Sequence, residues 1–196
     1  MGRDMFFERV EDELGFESPD WLLWAYSLAK YFHRPQTRDN GQRYFEHCTE
    51  VSLILLDLGP TTSEELAVAL LHDIYEDQFV PAGMIEKLFG WEIDDALRVL
   101  SKEKMTYRKR GLIEKRKVDL ENYFRQIISD TLLIRRVKLA DRLHNLRSID
   151  VQPKERKLKK VRETRKYILP IAATTDARFY RLIDDECNRI ENDQAA

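Results

Sequence analysis

The chain has 196 residues, of which 35% are charged, yet its formal net charge is only −2. That length predicts one domain over residues 1–196, able to bury on the order of 70% of its unfolded surface. The near-balance of charge argues against nucleic acid as a partner of the whole protein, and no run approaches the roughly 20 apolar residues of a membrane span.

The N-terminal residues, Met1 to Glu8, are interrupted by charge and offer no apolar leader core. Cys48 and Cys187 form neither a disulfide framework nor a metal-binding spacing. A soluble protein of a reducing, cytoplasmic compartment is expected. Seven glycines and six prolines suit a helix-rich chain. Apolar residues recur at helical spacing almost throughout, separated by stop and start signals.

Ser18-Pro19-Asp20 opens a first predicted helix carrying Trp21, Leu22, Trp24, Ala25, Leu28 and Ala29. Residues 34–43 read as a polar loop, and 44–58 as the next helix, stopped by Gly59-Pro60. Thr61 and Thr62 each stand three residues before a glutamate, two overlapping capping boxes for a helix that runs into His72-Asp73. Short helices are predicted over 81–89 and 91–100, then a basic connection over 102–111. Longer helices are predicted over 112–129, 131–147, 153–168 and 176–192. No segment shows sustained strand alternation, so the expected fold class is all-α.

Two strings stand out. His72-Asp73-Ile74-Tyr75-Glu76-Asp77 ends the apolar run Ala67 to Leu71; Lys138-Leu139-Ala140-Asp141-Arg142-Leu143-His144-Asn145 sets Asp141 and Asn145 inside another. A lone histidine at a helix end is ordinarily a hydrogen-bonded cap, and Asp141-Arg142 alone would pass for a surface ion pair. Together they put imidazole and carboxylate on largely buried helices, which is costly without compensation. A divalent cation supplies it. Mixed nitrogen and oxygen donors suit Mn²⁺ or another divalent transition metal better than Mg²⁺ or Ca²⁺. His72, Asp73 and Asp141 are the candidate ligands, and either His33 or His47 can bring a fourth from an earlier helix.

One such cation can neutralise a phosphoryl group and make a water nucleophilic, so the residues read as a metal-dependent phosphohydrolase. Glu76 and Asp77 follow His72 and Asp73 by four residues. On a continuing helix each pair would share a face, placing a general base beside the water. The basic stretches 102–117 and 154–166 read first as solvated helix faces and alternatively as a rim for an anionic nucleotide. Sparse aromatic interleaving argues against nucleic acid there too.

At these strings the chain resembles the hydrolase domain of the RelA/SpoT-homologue enzymes, a branch of the HD-domain metal phosphohydrolases. The resemblance runs from about Trp24 to Ala173 in five ordered blocks: His33 and Gln36 with Arg38, Tyr44 and His47; 69–77; Phe89-Gly90; 137–147; and Glu163-Thr164 with Tyr167 and 170–172. It implies an HD-type helical bundle around one metal, usually Mn²⁺, held by His47, His72, Asp73 and Asp141. Glu76 and Asp77 match the pair that activates water. Arg38, Asn145 and Ser148, the last in place of the usual Thr, match positions that hold the nucleotide. The implied reaction removes the 3′-pyrophosphate of guanosine tetra- or pentaphosphate, and the chain resembles a stand-alone, hydrolase-only form.

Three positions depart from the family pattern: Asp39 replaces a Lys, Arg43 a Pro, and Cys48 a second Pro. The first removes a cation from a site for polyanions. A related nucleotide (an adenosine alarmone or the 2′-phosphate of NADPH) and a non-catalytic nucleotide-sensing module therefore stand as alternatives.

Overall fold

The structure is a computed structural model that describes residues 2–15, 17–107 and 113–193. From the N-terminus, α1 spans Arg3–Leu14, α2 Asp20–Phe32, α3 Tyr44–Asp57, α4 Ser63–Leu71, α5 Ile74–Asp77, α6 Met84–Phe89 and α7 Trp91–Leu100. A two-stranded antiparallel ribbon follows, β1 Glu103–Tyr107 and β2 Ile113–Lys117, paired from Glu103 with Lys117 to Tyr107 with Ile113. Then come α8 Leu120–Ser129, α9 Leu132–Arg147, α10 Lys154–Glu163, α11 Leu169–Ala173 and α12 Ala177–Asp193. Helices dominate, as the composition predicts.

The centre is α3, α4 and α9. α4 packs on α2 and α3, α3 packs on α9, and α12 covers the other side of α9. Every residue of α4 is buried except Glu64, and Val51 to Leu56 form a continuous buried run on α3. Such all-round burial explains why the amphipathic stripe is weak here: central helices have no solvent face to keep polar. The entry to α4 uses half of the second expected capping box: Thr62 is the N-cap, but the Glu65 carboxylate turns elsewhere. Thr62 Oγ1 accepts from the Glu65 N–H at 3.2 Å, while the Glu65 carboxylate accepts from the Thr61 hydroxyl at 2.6 Å and from buried Arg136 Nε of α9 at 2.7 Å. A local start signal is thereby tied to a neighbouring helix. Gly90, at φ +90°, lets α6 end and α7 begin around one residue, a conformation that a side chain would strain.

Four expectations need correction. The helix predicted over 112–129 is in fact β2 followed by α8, whose N-cap is Asp119, accepting from the Asn122 N–H at 2.9 Å. The basic connection predicted over 102–111 contains β1, and its residues 108–112 lie outside the described residues. Two five-residue strands that pair only with each other are too short and too charged to show alternation. The helix predicted over 81–89 begins only at Met84, behind a turn in which Met84 N–H bonds the Pro81 carbonyl. The predicted 153–168 helix starts at Lys154 but widens into a π-helical turn over Thr164–Ile168. Pro170 explains this: its ring would meet the carbonyl four residues back in a regular helix, and a wider turn relieves the clash.

α1 was not anticipated. It buries only Phe6 and Val10, one turn apart, and the rings of Phe6 and Phe7 meet Tyr26 of α2, while charge fills much of the rest of its sequence. Among the described residues no helix is long and apolar enough to cross a membrane.

Candidate metal centre and adjoining cleft

Three helix segments deliver the polar residues that the core would otherwise exclude. The first turn of α3 carries Tyr44 and His47. The end of α4 carries His72, and Asp73 follows at the break before α5. One face of α9 carries Lys138, Asp141, His144 and Asn145. α4 does not run unbroken into α5: Asp73 adopts φ −98° and ψ 2°, and the single turn of α5 restarts there. The four-residue spacing survives across the break, because Asp77 N–H bonds the Asp73 carbonyl at 3.0 Å.

Four donor atoms converge. His72 Nε2 lies 3.2 Å from His47 Nε2, 3.0 Å from Asp73 Oδ2 and 3.7 Å from Asp141 Oδ1. His47 Nε2 lies 3.7 Å from Asp73 Oδ2 and 3.5 Å from Asp141 Oδ1. Ligands about 2.1 Å from one cation stand about 3.0 Å apart at right angles and about 3.4 Å apart at tetrahedral angles. The 3.0 and 3.2 Å spacings are of that kind and the others are slightly longer; His47, His72 and Asp73 form the compact group, with Asp141 Oδ1 within 3.7 Å of both histidines. His72 Nδ1 donates to the Ala69 carbonyl at 2.8 Å, which leaves its Nε2 lone pair facing the lone pairs of the carboxylates. Buried lone pairs so arranged repel unless a cation or a proton stands among them, so these residues fit a divalent metal.

A cleft of about 470 Å³ adjoins the cluster, lined in part by Arg38, Asn145, Ser148, Arg156, Lys159 and Lys160. Arg38 reaches it from the α2–α3 loop, which an antiparallel bridge between Thr37 and Arg43 folds back on itself. Its guanidinium donates to Asn145 Oδ1 at 2.9 Å and to Ser148 Oγ at 3.0 Å. Asn145 in turn donates to Asp141 Oδ1 at 2.5 Å. A continuous set of polar contacts thus joins the four-donor cluster to the cleft.

Comparison with known proteins bears on this arrangement. A family described as the HD domain matches residues 25–176, which include all four donors and the wall of the cleft. This chain belongs to the HD-domain family. Its relatives include a protein named GTP pyrophosphokinase rsh from Brucella melitensis, 38% identical over 76% of this chain and 19% of that one. Another is the bifunctional (p)ppGpp synthase/hydrolase SpoT of Escherichia coli, 32% identical over 77% of this chain and 21% of that one. The chain spans about a fifth of the length of these relatives. A solved structure described as a metazoan ortholog of SpoT that hydrolyses ppGpp superposes with a TM-score of 0.71, over 87% of this chain and 96% of that one. At 23% identity that likeness is one of fold.

The electrostatics of this HD domain follow from burial and close pairing. Burial opposes charge on His72, but Asp73 and Asp141 outweigh it and lift the ring to about 9. Burial likewise opposes charge on Asp73, yet His72 and His47 hold its carboxyl well below the usual range. Asp141 is held down against burial by Lys138, whose Nζ donates to Oδ2 at 2.9 Å, and by the two histidines. Glu76 and Asp77 shift the other way. Burial raises both, and the charge of Asp73 adds to the rise. Glu76 also accepts from the backbone N–H of Lys102, at the foot of the β-ribbon.

A second cluster is cationic. Arg142 of α9 donates to Glu163 Oε1 at 2.5 Å and to Thr164 Oγ1 at 3.2 Å, and Lys102 Nζ lies 3.8 Å from the same Glu163 oxygen. Burial, Lys138 and Arg142 bring Lys102 down to about 7. Arg142 and then burial lower Lys160 as well. Several cations therefore share the field of one carboxylate, which favours an anion at this end of the cleft.

All nine positions singled out in the sequence lie in or beside this region: His47, His72, Asp73 and Asp141 in the cluster, Glu76 and Asp77 at its edge, Arg38, Asn145 and Ser148 in the cleft. His33, the other open candidate for a fourth donor, is placed elsewhere. Its ring stacks on Tyr44 at 4.9 Å and its Nδ1 meets Gln36 Oε1 at 2.5 Å. Asp39 is exposed and accepts from Gln152 Nε2, while Gln152 Oε1 accepts from Arg156 at 3.3 Å. Sequence reasoning passed over Tyr44, Lys138 and His144 as site residues. Tyr44 Oη donates to Asp73 Oδ2 at 2.5 Å, and His144 Nδ1 lies 2.7 Å from His47 Nδ1. Lys138 and His144 stand three residues either side of Asp141 on a buried helix, a periodicity that could have marked them.

Proposed function

We propose that this HD domain is a phosphohydrolase that uses Mn²⁺, or another divalent transition metal, to remove the 3′-pyrophosphate of guanosine tetra- and pentaphosphate. Water is consumed, and GDP or GTP is released with pyrophosphate. The reading assigns His47, His72, Asp73 and Asp141 as ligands, Glu76 and Asp77 as the proton-accepting pair, and Arg38, Asn145 and Ser148 as nucleotide-binding residues. The observation that carries it is the junction at Asp141, where a four-donor cluster and a cation-lined cleft share one helix turn. The name of the Escherichia relative, a (p)ppGpp synthase/hydrolase, points to the same nucleotides.

When bound, the metal supplies charge neutralisation and a water of lowered pKa. The chain's own residues do the rest. Glu76 and Asp77, with basicity raised by burial, are suited to take the proton of an attacking water. The Arg38 guanidinium, already fixed on Asn145 and Ser148, offers its remaining donors and its face to the nucleotide. Lys102, Arg142 and Lys160 oppose anionic phosphate. Residues 1–196 act as one domain in this reading, since α1 packs on α3 and α12 on α9 beyond the limits of the family match. Its setting is the cytoplasm.

Asp39 favours one second reading. A carboxylate held by Gln152 at the cleft wall stands where the resembling enzymes carry Lys, so a related nucleotide, an adenosine alarmone or NADPH, is the alternative substrate.

The test is a panel assay of the purified chain with Mn²⁺ and guanosine tetraphosphate, its adenosine analogue and NADPH, with pyrophosphate and phosphate release followed separately. Pyrophosphate from the guanosine compound is expected. Release from another nucleotide alone would overturn the substrate assignment, and no release from any would leave binding without turnover.

A further inference from the structure

The contact between His47 and His144 plays no part in the reaction just described, yet its geometry is restrictive. The two Nδ1 atoms face each other at 2.7 Å, with ring centroids 4.8 Å apart and planes tilted by 44°. Two imidazole nitrogens at that distance share one proton: two lone pairs would repel and two N–H groups would collide. Either ring can hold that proton while His47 is otherwise uncommitted. On the opposite edge His47 Nε2 faces His72 Nε2, Asp73 and Asp141.

We propose that His144 is a positioning residue that keeps the proton of His47 on Nδ1 and so aims the Nε2 lone pair at the metal. The inference rests on the metal-centre reading above. A cation on Nε2 needs the lone pair there, so the His47 proton must sit on Nδ1 and be donated. The one ring nitrogen placed to accept it is His144 Nδ1, which moves the proton of His144 to its own Nε2. A ligating histidine usually donates its second nitrogen to a carboxylate, a carbonyl or water, which fixes the ring and its tautomer. His72 does so with the Ala69 carbonyl. His47 uses a neutral ring instead, held three residues beyond Asp141 on the same face of α9. One turn of that helix therefore supplies one donor and orients another. A neutral acceptor makes His47 a weaker electron donor than a histidine hydrogen-bonded directly to a carboxylate.

Two measurements test this. The first titrates the metal-free full chain with Mn²⁺ by calorimetry, for wild type, His144→Leu and His144→Asn, and records the unfolding midpoint of each metal-free form. Loss of the acceptor should weaken Mn²⁺ binding by roughly 10- to 100-fold in the Leu variant. Asn can present an oxygen near the Nδ1 position and should stay within a few-fold of wild type. Equal affinity for Leu and wild type, or equal loss in Leu and Asn, overturns the proposal. The second needs no variant: long-range ¹H–¹⁵N spectra of the Zn²⁺-loaded wild type should show His144 protonated on Nε2. Protonation on Nδ1 overturns the proposal even if the Leu variant fails to fold. A wild-type chain that takes up neither cation overturns the metal-centre reading itself, which separates the two failures.

Discussion

At the scale of single residues, pairing and burial push neighbouring groups in opposite directions, and the division suggests their roles. Asp73 and Asp141 are held ionised by histidines and Lys138, whereas Glu76 and Asp77 are raised by burial. Replacing Glu76 and Asp77 together by Gln and Asn keeps their size and removes their basicity. Turnover should fall by roughly 10²- to 10⁴-fold while calorimetric metal affinity stays near wild type. A double variant with nearly full kcat would make these carboxylates structural. His72 yields a proton-linkage prediction. Its folded pKa of about 9 lies above the ordinary 6.5, so its contribution to the stability of the metal-free protein is full below about 6.5 and lost as pH rises through about 9. Metal must displace that proton. Calorimetry at pH 7 in buffers of different ionisation enthalpy should show a proton released on binding, and affinity should climb with pH towards about 9. Binding enthalpies independent of buffer would contradict the assigned ligand.

Helices couple local signals to the site, and α4 shows how separable its two ends are. Its start is a side-chain cap at Thr62 and its finish is His72, with apolar core between them. Thr62→Ala should lower stability by about 1 kcal/mol, the usual worth of such a cap, as read from denaturant midpoints. Metal affinity should remain unchanged, because the cap is nearly three turns from the donors. A loss of metal binding in this variant would show that the cap positions His72. α9 is built differently. Its apolar residues fix it in the core, and its polar ones, from Arg136 to Asn145, are each matched to a partner on another helix or one turn away. Removing one partner there would leave a charge buried alone, which is far more damaging than losing a surface pair.

For the whole molecule, the metal-free fold holds several lone pairs and like charges close together inside the core. A ligand bound only by the folded state stabilises it by mass action, about 2.7 kcal/mol at a hundredfold excess over Kd. Thermal unfolding should therefore shift upward with Mn²⁺ concentration, and a chelator should reverse the shift. A midpoint indifferent to both would argue against an integral metal centre.

The sequence by itself determined a great deal: the helical class, most helix limits within a few residues, and His72, Asp73, Glu76, Asp77 and Asp141 as candidate site residues, whereas the roles of Arg38, His47, Asn145 and Ser148 came from the family resemblance. Local rules suffice for the first group. Gly59-Pro60 stops a helix wherever it occurs, and a carboxylate or imidazole within an apolar run signals compensation whatever the topology. What the chain alone left open depended on neighbours distant in sequence. The β-ribbon exists because two short charged segments pair with each other, and α1 because Phe6 and Phe7 find Tyr26. His33 and His47 are equally good donors as residue types. The tertiary structure places them differently: His47 meets His72 of α4 and Asp141 of α9, whereas His33 stacks on Tyr44 and meets Gln36. Asp39 and Gln152, 113 positions apart, met for the same reason. A donor set is a property of distances, and distances between helices are fixed by how their buried faces pack.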